Sequence, residues 1–471
     1  MNDVTPPADP FSQAPAAAPD AAAASKPTPW KAIIGVVAVV AVVVVGVLLF
    51  TGGDDDSIAG PDSSGDTEGT WHLVRYAGDE GAAVEVLDEQ LEVVRTVELT
   101  TEDGPALSRT TGRYIVTQSD GDTVEVLDLA QGGSREVRLP ASNLILDRGL
   151  QSAAGSHAVY FSPGGGPLAL VDLTAASVSV IGGSESGYYL IGARPLVSLY
   201  FAVDGSSTVV VPHDDPAGWW EVPGPVSFVE GRRTLVLGMV DGEPAVRQFD
   251  GEEQQGKTIA MKAPQLGGLL TETGAMTVDT GGGLWAIDFA GGEHETLGVL
   301  GIGVDAAVPV AGDRVLAWGA GGTRMILADG TVAEEIDPVA SGSGEALPII
   351  PVSGGIGTKC LTVQPGAQPR PTDARAVTVD IATGERLARF EGTPSTFSLD
   401  GCSAISMAAP SELMTDGVLA KLDLDRVFTY SPDLTQAIGV MLADDGQFYI
   451  TDVATSVRTA IPEGSYFWAK F

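Results

Sequence analysis

Basic side chains are scarce in this chain. Its 471 residues include 26 Lys and Arg against 62 Asp and Glu, a net charge of -36. That balance repels phosphate backbones and excludes nucleic acid as a partner. Cysteine is scarcer still: only Cys360 and Cys402 occur, too few for a Cys-rich zinc site. The four histidines (His72, His157, His213, His294) are scattered, none in a metalloprotease motif, and no G-x-S-x-G nucleophile elbow is present. From Trp71 onward the 3.6-residue apolar period is nearly missing, so that region reads as all-β. No catalytic residue, metal ligand set or cofactor is assigned from these patterns.

Long apolar runs are also missing, with one exception. After a Pro/Ala-rich segment (1–29), too poor in large apolar side chains to offset the entropy of ordering, comes "KAIIGVVAVVAVVVVGVLLF". It is read as a transmembrane helix over 30–50, whose uncharged run from Ala32 to Phe50 spans roughly 28 Å, close to the hydrocarbon thickness of a bilayer. Lys26 and Lys31 precede the run and Asp54, Asp55 and Asp56 follow it, so the positive-inside rule places the N-terminus in the cytoplasm. A cleaved signal peptide is the rival reading, but no small-residue cleavage motif directly follows the run and no lipid-accepting cysteine is present. An acidic linker (51–69) then leads to an extracytoplasmic domain over 70–471. Cys360 and Cys402 sit about one repeat apart. A single disulfide fits export to an oxidising compartment; two buried thiols in neighbouring strands is the other reading.

What the rest of the chain has in quantity is a repeated phrase. "AVTVDIATGERLARF" is a strand closed by Asp380, a turn at Thr383 and Gly384, and an outer strand from Arg386. Looser copies end their strands at Asp88, Asp128, Asp172, Asp250, Asp288, Asp329 and Asp452, with a variant at "STVVVPHDD". The steps are mostly about 37 to 51 residues, a period that signifies propeller blades. With a short leading phrase each unit makes four strands, and blades stack to cover the faces one sheet alone leaves open. The first unit lacks a leading strand, while "SYFWAKF" near the last residue is a spare one. It is expected to complete the first blade and close the ring. The expected fold is an all-β propeller of about eight four-stranded blades, seven or nine being open alternatives, preceded by one transmembrane helix.

"VTVDIATGERLARF", "TFSLDGC" and "TYSPDLT" make the region from Trp71 to Phe471 resemble membrane-anchored bacterial propellers of the quinoprotein-like and WD-repeat-like (WD40) type. The resemblance implies the ring architecture. The tryptophan that commonly closes a quinoprotein repeat is absent, Phe390 standing nearest its place, so no cofactor is implied.

Three local matches invite sharper readings. "GEEQQGKT" (251–258) has phosphate-loop spacing, but Glu252 and Glu253 repel phosphate and Pro264 cuts the following segment short. A turn between the second and third strands of a blade accounts for it. "GIGVDAAVPV" (301–310) fits a dinucleotide fingerprint with no βαβ unit around it, and reads as an interblade turn. "PHDDPAGWW" gathers His213, Asp214 and Asp215, which could ligate a metal, before Trp219 and Trp220. Adjacent strand residues face opposite ways, so at least one of these tryptophans is expected to pack between blades.

The expected function is a single-pass plasma-membrane protein that presents a propeller outside the cell as a binding or scaffolding module of the cell envelope. Its partners would be the membrane, through the N-terminal helix, and an unidentified protein or glycan ligand at the propeller face. An extracytoplasmic glycoside hydrolase or lyase on the same fold, and a cation-dependent surface protein, are the other readings.

Overall fold

The computed structural model describes residues 71–470 apart from short stretches, the longest being 99–105, 148–154, 337–348 and 366–375. The tail (1–29), the apolar run (30–50) and the linker (51–69) lie outside the described residues. Among the described residues, no helix is long and apolar enough to cross a membrane.

Local chemistry makes the strands. In 226–260, the strands Arg233–Val240 and Glu243–Asp250 are joined by Asp241 and Gly242, with φ of 52° and 86°. Positive φ at both central residues matches the right-handed twist of the flanking strands and makes a tight hairpin. In most blades an acidic residue at the end of the third strand then shapes the next turn, the third strands that end at Pro212 and Thr415 being exceptions. Asp128 Oδ1 accepts from the N–H of Ala130 and Gln131, Asp172 Oδ1 from Thr174 and Ala175, and Asp380 Oδ1 from Thr383 N–H at 2.7 Å. The repeated acid is therefore a turn cap between the third and fourth strands of a blade.

Among the described residues the strands form ten four-stranded antiparallel sheets, each built from consecutive strands except the first. Numbered along the chain, blade 1 covers 71–98 and the last strand, and blades 2 to 10 follow at 106–138, 145–181, 188–223, 226–260, 265–299, 306–336, 349–389, 396–421 and 426–461. The expectation of about eight blades is corrected to ten. Blade 9 hides in the sequence because its strands are short: Thr396–Phe397, Ala404–Ser406, Glu412–Thr415 and Val418–Lys421. The interval from Asp380 to Asp452 thus holds two blades.

Burial orders each blade from inside to outside. The second strands Val197–Ala202 and Ala275–Asp279 are buried throughout, whereas the fourth strands Glu253–Ala260 and Glu293–Val299 are mostly exposed. First strands of successive blades touch: Val226–Glu230 meets Gln265–Leu270, which meets Ala306–Val310. Gly267 permits that approach, since a Cβ there would collide with the Ala307 carbonyl.

Alternation along a strand feeds two interfaces at once. In Val197–Ala202, Leu199 and Phe201 pack toward blade 5, and Tyr200 and Ala202 toward blade 3. Similar clusters join every consecutive pair, and one of Leu73, Leu87, Ile438, Ile461 and Tyr466 joins blade 10 back to blade 1. The ring closes as the sequence suggests: Ser465–Lys470 pairs antiparallel with Trp71–Ala77 as the leading strand of blade 1. Phe390 fills the blade 8–9 interface with no exposure, packed near Ala404 and Met414.

The scarce cations clip neighbouring blades together. Arg95 donates to the carbonyls of Leu129 and Ala130, Arg135 to Leu173 and Thr174, and Lys257 to Gly291, each reaching the capped turn of the next blade. Cys360 and Cys402 are disulfide-bonded, tying blade 8 to blade 9. Around that bond the backbones interlock: the N–H groups of Lys359 and Cys360 both donate to Asp400 O. Gly401, at φ 74°, is required there because a Cβ would strike the Cys360 carbonyl and the Gly357 backbone.

Candidate functional site

The histidines fall on four different blades, so no multi-histidine centre forms. His157 Nδ1 meets Ser156 Oγ, and the His294 ring lies edge-on to Trp285. His213 alone sits in a larger buried polar group assembled from two blades. Asp147 follows the first strand of blade 3, Ser198 and Tyr200 lie on the second strand of blade 4, and His213 follows the third. Ser198 Oγ donates to Asp147 Oδ2 at 2.8 Å, Tyr200 OH donates to the same oxygen at 2.5 Å, and His213 Nε2 lies 3.2 Å from Ser198 Oγ.

The proton count fixes the direction of this chain. Ser198 has one hydroxyl proton and gives it to the carboxylate, so His213 must donate through Nε2–H. In a hydrolytic triad the imidazole lies between serine and acid and shuttles the serine proton. Here the serine lies between the other two. All four side chains are at most 3% exposed, so no substrate reaches them. The group is a polar lock between blades 3 and 4. Sequence reading singled out His213 and missed Asp147, Ser198 and Tyr200; the one local hint was a serine inside the otherwise apolar strand "VSLYFA".

Burial and the adjacent carboxylate push the Tyr200 hydroxyl well above the ordinary tyrosine range, and burial does the same for Tyr160. A raised folded value gives stability that is complete below about pH 10 and lost as pH rises from there through the folded values. The melting temperature is therefore expected to fall above about pH 10, with fewer tyrosines ionised in the folded chain than in the denatured one. Absorbance titration of tyrosinate checks this, and nine tyrosines ionising together at the ordinary value would overturn it.

The other sequence candidates are also placed. His213 turns inward while Asp214 and Asp215 stay exposed, Asp214 Oδ1 accepting the Asp215 N–H, so the three do not converge on an ion. Among the described residues no group of three or more His, Cys, Asp and Glu could hold a metal ion. Trp220 is buried against blade 5 and Trp219 packs toward blade 3, on opposite faces as expected. The phosphate-loop match is corrected. Gly251 and Glu252 turn between the third and fourth strands of blade 5, not the second and third, and Lys257 on the fourth strand clips blade 6. The interblade-turn reading of 301–310 holds for 301–305, which link the last strand of blade 6 to the first of blade 7; it is corrected for Ala306–Val310, which is that first strand.

No family model matches the chain, and no curated protein matches it. Solved structures do match. The dihydro-heme d1 dehydrogenase NirN is 17% identical over 70% of this chain and 75% of its own, with a TM-score of 0.37. A eukaryotic initiation factor is 10% identical over 85% and 98%, with a TM-score of 0.38. Dipeptidyl peptidase 4 of Porphyromonas gingivalis is 12% identical over 80% and 62%, with a TM-score of 0.37. Likenesses at these values carry no argument; the chain is a β-propeller on the strength of its own sheet order and interblade packing.

Proposed function

We propose that this chain is an extracytoplasmic binding or scaffolding ring, anchored by the apolar run at 30–50 with the tail at 1–29 in the cytoplasm. The observation that carries the location is the Cys360–Cys402 bond between blades 8 and 9. Disulfides persist in oxidising compartments and are rare where thiols are kept reduced. The charge asymmetry around the apolar run supports the same orientation. A closed ring with clipped blades supports the role, because it holds loops rigidly at both ends as a contact surface. Protease treatment of intact cells tests the topology: the ring should be digested from outside, and protection until lysis would overturn the proposal.

A further inference from the structure

Blade 8 departs from the charge pattern of the ring. Between 349 and 389 it has five basic side chains (Lys359, Arg370, Arg375, Arg386, Arg389) against three acidic ones (Asp373, Asp380, Glu385), and in every other blade the acids outnumber the bases. Two of those arginines stand on its outer strand, Arg386–Arg389, and both are exposed. Neither makes a hydrogen bond, ion pair or ring contact with any described residue. The other arginines with described side chains each meet a carboxylate, a carbonyl or an aromatic ring, as with Arg75 on Glu85, Arg113 on Asp128 and Arg247 on Pro223 O.

The backbone explains why these two differ. In blades 1 and 2, the clipping arginine pairs with the residue two before the capping acid: Arg95 with Val86, Arg135 with Val126. In blade 8 that register position pairs Thr378 with Ala388. The outer strand is bulged, with Val377 opposite Arg389 but Val379 opposite Arg386. Residues three apart on a regular strand face opposite ways; the extra residue of the bulge restores the parity and turns both arginines to the Val377 and Val379 face. They stand about one pleat repeat apart, roughly 7 Å along the strand, beside a shallow groove of about 260 Å³ lined by Val377 and 386–389.

The same strand is the free edge of its sheet. Phe390 N–H donates inward to Ala376 O at 2.9 Å, which turns the N–H and C=O of Arg389 outward. An open strand edge and two unneutralised guanidinium groups at one pleat repeat fit one ligand chemistry. We infer that the outer edge of blade 8 docks an extended acidic peptide, which adds as a fifth strand and sets carboxylates at alternate positions against Arg386 and Arg389. The net negative charge of the ring makes this edge a local exception, and directs an acidic strand to it rather than to the other outer edges. The inference rests on the reading of the chain as a binding module, not on its location.

The test uses the full-length chain in nanodiscs of uncharged phosphatidylcholine and a fluorescent peptide of alternating Glu and Val. Fluorescence polarisation should show saturable binding that salt weakens. Arg386→Glu with Arg389→Glu should reduce the affinity at least roughly tenfold while leaving the melting curve unchanged, and the double Lys variant should retain part of it. A peptide N-methylated at alternate residues, which keeps its charges but cannot pair along an edge, should bind at least about tenfold more weakly. Equal binding of the N-methylated peptide, indifference to the double Glu variant, or equally effective competition by inorganic phosphate would overturn the proposal. Absence of peptide binding would sink this site alone. The binding-module reading falls separately, if photo-crosslinkers placed around the ring on intact cells capture nothing.

Discussion

Deleting Ser465–Lys470 is expected to abolish the folded ring. This strand is the leading member of blade 1 and pairs along Trp71–Ala77. It buries Tyr466, Phe467 and Ala469 to 3% exposure or less, between blade 10 on one side and blade 2 on the other. Each of the two aromatic side chains contributes roughly 2–3 kcal/mol by leaving water. Losing both, with a whole ladder of backbone hydrogen bonds, removes more than about 5 kcal/mol, a large part of the 5–15 kcal/mol typical of a folded protein. The deletion also leaves two blade faces and a sheet edge open, which invites aggregation. Phe467→Ala alone should cost about 3–5 kcal/mol, seen as a lowered denaturation midpoint. A deleted chain that stays soluble and melts at the parental temperature would show that this strand does not close the ring.

That closure was legible because it rests on local signals. Apolar alternation, Asp-Gly turns and a capping acid after most third strands are short-range chemistry, and a strand left over near the last residue matches one missing at the first blade. Blade number was less legible. The acid marks show nine units, and blade 9, with strands as short as Thr396–Phe397, carries a weak signal. Propellers usually carry about four to eight blades, so a ring of ten lies beyond the size that the fold class alone suggests. The Asp147–Ser198–His213 group was illegible for a different reason: its members are brought together by packing of blade 3 on blade 4, and no spacing in the chain encodes that meeting. The outer edge of blade 8 combines both cases. Arg386 and Arg389 are plain in the sequence, but strand parity sets them on opposite faces, and only the bulge opposite Thr378 and Val379 brings them to one side.

Removing the Cys360–Cys402 bond is the second change with a large expected effect. The bond closes a segment with a sequence separation of 42. Chain-entropy arguments assign such a loop about 4 kcal/mol of stabilisation, through the freedom it denies the unfolded chain. Its position amplifies the consequence for one part of the ring. Blade 9 has the shortest strands, and beside the bond its link to blade 8 runs through the Asp400 carbonyl, which accepts from Lys359 and Cys360. Cys360 has no exposure, so alanine at both positions is the better substitution, since serine would bury a hydroxyl. The double Ala variant should lose about 3–4 kcal/mol in guanidinium titration, and hydrogen exchange should open first in 396–421. Reduction of the parent chain by a thiol should reproduce the shift, and should leave the double Ala variant unmoved. Equal midpoints for parent and variant would mean that the interlocked backbone holds blades 8 and 9 together without the covalent tie.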